Sequence, residues 1–221
     1  MRNSVLCALV FLLGLALAGC SIGAGQVRGS GNITTETRKV AGFTAVDVSG
    51  VGDVIITQGD AESLTVETDD NIQRLVLSEV RGDTLYLSME PNTSLAHIPR
   101  LIFTVTVRDL TQLTLAGAAT ISVRDLSGDQ LRVDHSGVGL LTLAGAVNAQ
   151  DVTLSGVGGY DGAALMSDRA TVTVSGVGNV VVNVGERLDA TVSGMGSIAY
   201  IGSPEVHQQI DGLGTIRQRA P

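Results

Sequence analysis

Tryptophan is absent from the 221 residues, phenylalanine and tyrosine occur three times each, and lysine appears once, as Lys39. The two cysteines, Cys7 and Cys20, both lie near the N-terminus. No disulfide can therefore staple the body, and no thiolate metal site is available there. Charged residues make up only 16 % of the chain, and their balance is acidic, with a formal net charge of -8. Thinly spread arginine on an acidic chain excludes a phosphate-gripping nucleic-acid face and a polybasic contact with anionic lipid. Exposed aromatic faces, which sugar sites favour, are scarcely on offer.

What remains is aliphatic and glycine-rich. Apolar residues reach 44 %, mostly Val, Leu, Ile and Ala, and there are 28 glycines. Branched aliphatics favour strands, and glycine in quantity marks turns or close backbone approach. The chain length suits one domain.

The first residues read as an address. Met1-Arg2-Asn3 is a short cationic start, and Val5 to Ala18 is almost wholly apolar. That run falls short of the ~20 residues a permanent membrane helix needs and fits a secretory signal. It ends in Leu17-Ala18-Gly19-Cys20, which resembles the bacterial lipobox. The resemblance implies cleavage after residue 19, a diacylglyceryl group on the Cys20 sulfur and an acyl chain such as palmitate on the new amine. Several acyl chains together hold a protein to a membrane where one would not. Ser21, in place of an aspartate, leans towards the outer membrane of a diderm cell. Residues 20–31 have no strand pattern and read as a flexible tether.

Beyond the tether, near-identical segments recur: VSGVGDV from Val48, HSGVGLL from His135, LSGVGGY from Leu154, VSGVGNV from Val174, VSGMGSI from Val192 and IDGLGTI from Ile210. LAGAATI from Leu115 is a weaker copy. From Ala116 the reference residues, Ser136, Ser155, Ser175, Ser193 and Asp211, follow at intervals of 20, 19, 20, 18 and 18. Upstream of each corner the pattern alternates, as in Val152-Thr153-Leu154 and Val172-Thr173-Val174, which marks a half-buried strand. Such a unit cannot bury its own apolar face, whereas stacking each on the last gives a continuous core. The fold expected is all-β, a parallel β-helix (β-solenoid) with coils of about 18–20 residues in domain 32–221. Residues 116–221 form its regular part, and 32–115 its less regular coils. Asp69 to Val80 has room for a short helical turn.

The glycine pairs, such as Gly137 and Gly139, are expected to turn the chain and to let corners stack about 4.8 Å apart. The residue between them (Val51, Ala118, Val138, Val157, Val177, Met195 or Leu213) is read as one more inward apolar column. The serines are expected to form a hydroxyl ladder. A phosphate-cradling glycine loop is excluded, since it needs a following helix where this chain has strands.

Taken together, TETRKVAGFTAVDVSGVGDVIITQGD, RGDTLYLSM and the repeated SGVG corners resemble the putative auto-transporter adhesin head GIN domain family, over Asn32 to the end. The resemblance implies a right-handed parallel β-helix and an adhesin-like role, with no agreed ligand and no functional residues to carry over.

Candidate chemistry is thin. A β-helix enzyme acting on polysaccharide would need clustered carboxylates, and the outward column offers only Asp47 and Asp134 with threonines between and beyond them. His135 stands beside Asp134, but alternation sends the two to opposite faces, so His135 is expected to bond to the corner backbone or Ser136. His97 and His207 are isolated. No catalytic, cofactor or metal residue is assigned, and Cys20 is the one modification site. The expected role is a non-catalytic binding module, with a structural spacer as the alternative class. Its partners are expected to be the membrane, through lipid, and an envelope or extracellular protein or glycan. Arg217, Arg219 and Pro221 near the end favour a monomer or a small closed oligomer over a fibre.

Overall fold

The structure, a computed structural model, describes residues 26–96 and 100–220. The signal, Cys20, His97 and Pro221 lie outside the described residues.

Aliphatic alternation does what the sequence predicts: the described chain is a β-solenoid of about five turns. The regular part comprises β8 (Gln112–Leu115), β9 (Ala118–His135), β10 (Val138–Leu154), β11 (Val157–Val174), β12 (Val177–Val192), β13 (Met195–Ile201), β14 (Glu205–Ile210) and β15 (Leu213–Gln218). Each pairs in parallel with the equivalent segment one coil on, so equivalent residues lie over one another. Three inward columns make the dry interior: Val133, Val152, Val172 and Ala190; Leu115, His135, Leu154, Val174 and Val192; and Ile121, Leu141, Tyr160, Val180 and Ile198. One polar chain crosses it. Tyr160 donates to Gln150 Oε1 (2.8 Å), Gln150 donates to Ser167 Oγ (2.8 Å), and Ser167 donates to the Asn183 carbonyl (3.0 Å).

The first half is built differently. Here β1 (Ile33–Arg38) is followed by β2 (Ala45–Val48), β3 (Val51–Gln58), β4 (Ser63–Asp69), the single helical turn α1 (Asp70–Gln73), β5 (Val76–Arg81), β6 (Thr84–Met89) and β7 (Ile102–Val107). The coil β2–β3 lies inside the stack, with β6 and β7 on one side and β8 and β9 on the other. Antiparallel strands then close that end: β4 on β7, β1 on β4, and β5 on β6. The chain thus begins in an interior layer, builds the cap beyond it, and crosses back to lay down the regular coils.

Residues 27–31, read from sequence as the end of a flexible tether, are strapped to this cap. Val27 donates to the Ser94 carbonyl (2.8 Å) and accepts from Ala96 N (3.0 Å). The turn after β4 holds the rest. Gly31 N donates to Asp69 (2.5 Å), the Ser30 hydroxyl to Asp70 (2.6 Å), and the Asn71 amide to the Arg28 carbonyl (2.8 Å). The correction has a simple cause: Gly, Ser and Asn give no strand pattern, yet their backbone and side chains satisfy polar groups on a neighbouring turn.

Candidate interaction surface

The corner between the two strands of each coil is where the sequence repeats most strictly, and its geometry explains why. In the corner at Ser136, the Ser136 and Gly137 N–H groups both donate to the Leu115 carbonyl of the preceding coil (2.9 Å each), and Val138 N donates to the Gly117 carbonyl (2.9 Å). The same three bonds recur at Ser155, Ser175, Ser193 and Asp211. Backbone therefore lies directly on backbone. A Cβ built on Gly176 would fall far inside van der Waals contact with the Gly156 carbonyl oxygen, although Gly176 itself has no positive φ. Close approach, rather than unusual dihedrals, is what this glycine supplies; Gly158, at φ 147°, needs both.

This geometry overturns one expectation. Alternation does not restart at the corner but runs through it, so both glycines occupy inward positions and the residue between them points out. Val138 is 56 % exposed, Val157 52 %, Val177 43 %, Met195 55 % and Leu213 78 %. They lie in register from coil to coil, continuing from half-buried Val51 and exposed Ala118. The result is an aliphatic ridge parallel to the solenoid axis, with Leu140 beside it, 47 % exposed. Counting positions of period two across Gly-X-Gly is the signal that would have found it.

From Val157 to Met195 the ridge is flanked by short, uncharged residues, and beside Leu213 stands Asp211, which accepts from Gln209 (2.7 Å). From residues 114–120 to residues 191–197, the five stacked corners carry a single formal charge, Asp134, which the Arg132 guanidinium holds at 2.9 Å. The flanking serines stay exposed. Ser136 Oγ reaches the Leu115 carbonyl at 3.4 Å rather than another serine, so the expected hydroxyl ladder is absent among the described residues. Charge gathers instead near the ends of the strands that precede the corners, in the pairs Arg132–Asp134 and Arg187–Asp189 (2.8 Å). The Arg187 hydrogen bond holds the Asp189 carboxyl below its ordinary range.

The remaining candidate residues do not converge. Asp47 and Asp134 share a column, but Thr114 lies between them, leaving them two coil steps, about 10 Å, apart. Burial raises the Asp47 carboxyl above its ordinary value. His135 is 1 % exposed and its Nε2 donates to the corner carbonyl of Gly139 (3.1 Å), as the sequence suggests. Burial pushes its imidazole below the ordinary 6.5, against a smaller opposite pull from that carbonyl, so His135 is neutral. His207 is exposed and meets Glu205 at 3.1 Å. Among the described residues, no group of three or more His, Cys, Asp or Glu side chains is placed to hold a metal. A shallow groove of about 540 Å³ follows the other turn of the coils, lined by Ala146, Asn148, Met166 and Asp168.

A family model described as "Putative auto-transporter adhesin, head GIN domain" matches residues 42–204. Among solved structures, a "putative adhesin" from Bacteroides fragilis is 25 % identical with a TM-score of 0.75, over 87 % of this chain and all of its own. A "putative adhesin" from Parabacteroides distasonis is 21 % identical with a TM-score of 0.58, over 88 % and 100 %. A "putative lipid binding protein" from the same species is 20 % identical with a TM-score of 0.52, over 88 % and 99 %. The last two share the fold alone. No curated protein matches. The corner repeat, the coil stack and a family match over most of the chain lead to one conclusion: the chain belongs to the family of putative auto-transporter adhesins with a head GIN domain.

Proposed function

We propose that this chain is a cell-envelope lipoprotein, anchored through acylated Cys20, whose solenoid is a non-catalytic, adhesin-like binding module with the aliphatic ridge as its contact surface. The observation that carries the reading is the ridge itself. Five large apolar side chains stand exposed in one row, the first four inside a band almost free of charge, on a chain whose net charge is -8. Contiguous exposed apolar surface rimmed by polar groups marks interaction sites. A stacked backbone holds the row rigid, so docking costs little ordering. The family and the Bacteroides fragilis neighbour support an adhesin-like role at the envelope or cell surface.

The test compares three forms of the gene in a deletion strain, scored by attachment to host or matrix surfaces. Wild type is expected to restore attachment, and the double substitution Val157→Asp with Val177→Asp to abolish it while leaving the melting temperature within a few degrees. Cys20→Ser is expected to move the protein out of the membrane fraction without unfolding it. Full attachment by the double-aspartate form would remove the ridge from the reading, and retention of Cys20→Ser in the membrane would remove the lipid.

A further inference from the structure

We infer that the partner fitting the ridge is a second copy of this chain, docked ridge against ridge about a two-fold axis near Val177. The inference rests on the ridge being a contact surface, as proposed above, and names what covers it.

Three observations carry it. The first is charge. At a net charge of -8 two copies repel, and like charges brought together across an interface are costly. The corner band is the strip where apposition costs least, since from Val138 to Leu213 its carboxylates are Asp134, already paired with Arg132, and Asp211, which accepts from Gln209 (2.7 Å). The second is self-complementarity. A two-fold interface requires one patch to match itself when reversed. A row of side chains repeated at one spacing meets this condition: with Val177 on the axis, Val157 faces the other copy's Met195, and Val138 its Leu213. The third is relief. On the outer face the ridge residues from Val157 to Met195 have only short neighbours along their strands, Ser155, Ser175 and Ser193 before them and Gly159, Asn179 and Ser197 after them, so the row stands clear to meet a second one.

The size of the ridge sets the strength. From Val138 to Leu213 it spans four coil steps, about 19 Å, and it is one side chain wide. That is narrower than a standard interface, which buries ~800 Å² per partner, so pairing is weak between dilute chains. Chains held on one surface meet at far higher effective concentration, and pairing belongs there.

The experiment is therefore done on intact envelopes carrying the full chain. Val177→Cys, treated with a mild oxidant, is expected to give a product of twice the chain mass. Co-expressed Val157→Cys and Met195→Cys chains bearing different tags are expected to cross-link to each other. Asp168→Cys, exposed on the other turn, and the chain without an added cysteine are expected to stay monomeric, and Val177→Asp to give no paired product when added to the cross-linkable pair. Monomeric Val177→Cys, or equal yields from Val177→Cys and Asp168→Cys, would overturn the inference. A cross-link from Val177→Cys to a protein of different mass would overturn it too, while leaving the ridge as a contact surface. Absence of any ridge adduct, with attachment abolished in the double-aspartate form, would also refute the second copy and keep the binding reading.

Discussion

At the scale of single residues, the corner glycines are the least replaceable positions. Gly176→Val is expected to cost several kcal/mol, at the large end of single substitutions, because a side chain there meets the backbone of the preceding coil. Gly176→Ala should be damaging as well, since the first side-chain carbon already collides. Gly185→Ala makes the contrast. Its φ is not positive and its nearest neighbour lies at 3.8 Å, so its unfolding midpoint should match wild type within error. Equal effects of the two alanines would refute the close-approach account. Tyr160→Phe should cost about 1–3 kcal/mol, because Gln150 Oε1 loses its donor inside the core. His135 tests the core through pH. Its folded pKa is lowered, so the unfolded chain takes the proton first as pH falls through 6.5. Its contribution is thus undiminished above that value, declines below it, and levels off once pH passes the lowered folded pKa. The buried Nδ1 has no partner, so nothing offsets the proton. His135→Leu should flatten the difference in unfolding midpoint between pH 7.5 and 5.5; an unchanged difference would place the titration elsewhere.

At the scale of elements, the regular coils were legible because parallel stacking leaves a column in the sequence at a fixed interval. Val152, Val172 and Ala190, or Leu154, Val174 and Val192, reveal the inward face without coordinates. The ridge was not legible for a local reason: a corner is expected to interrupt alternation, whereas the inward–outward phase carries through Gly-Val-Gly unchanged. The cap was not legible, because β1 and β4 pair antiparallel with β4 and β7, strands that are not their neighbours in the chain, and period two does not say which strand pairs with which. The short helical turn between Asp69 and Val80 could be anticipated, while the strap it holds could not. That strap can be probed directly. Asp70 accepts hydrogen bonds from Ser30 and Asn32, which hold its carboxyl below the ordinary value. Its grip is present above pH 3.8 and is lost as pH falls through the lowered folded value. Combined Asp70→Ala and Asn71→Ala should therefore speed tryptic cleavage after Arg28, whose carbonyl Asn71 holds, while β9 to β12 remain protected.

At the scale of the whole molecule, each regular coil pairs its strands only with the coil before and the coil after it. Removing residues 175–192 joins Val174 to Ser193 and lays β13 and β14 where β12 had been, with serine, glycine and inward aliphatics again in register. The shortened chain should keep a parallel-sheet circular dichroism spectrum and unfold in one transition; aggregation in its place would mean that coils are not interchangeable. The strap has a different consequence, one of altitude. Were residues 20–31 all free, the head could roam the envelope on a long leash. With Val27 stitched to the cap, only residues 21–26 are left between it and Cys20, and they span at most about 25 Å when fully stretched. On the proposed acylation of Cys20, the capped end would be held within that reach of the lipid headgroups. The ridge is then a low picket standing close over its own membrane, better placed to meet neighbours on the same surface than to reach for something distant.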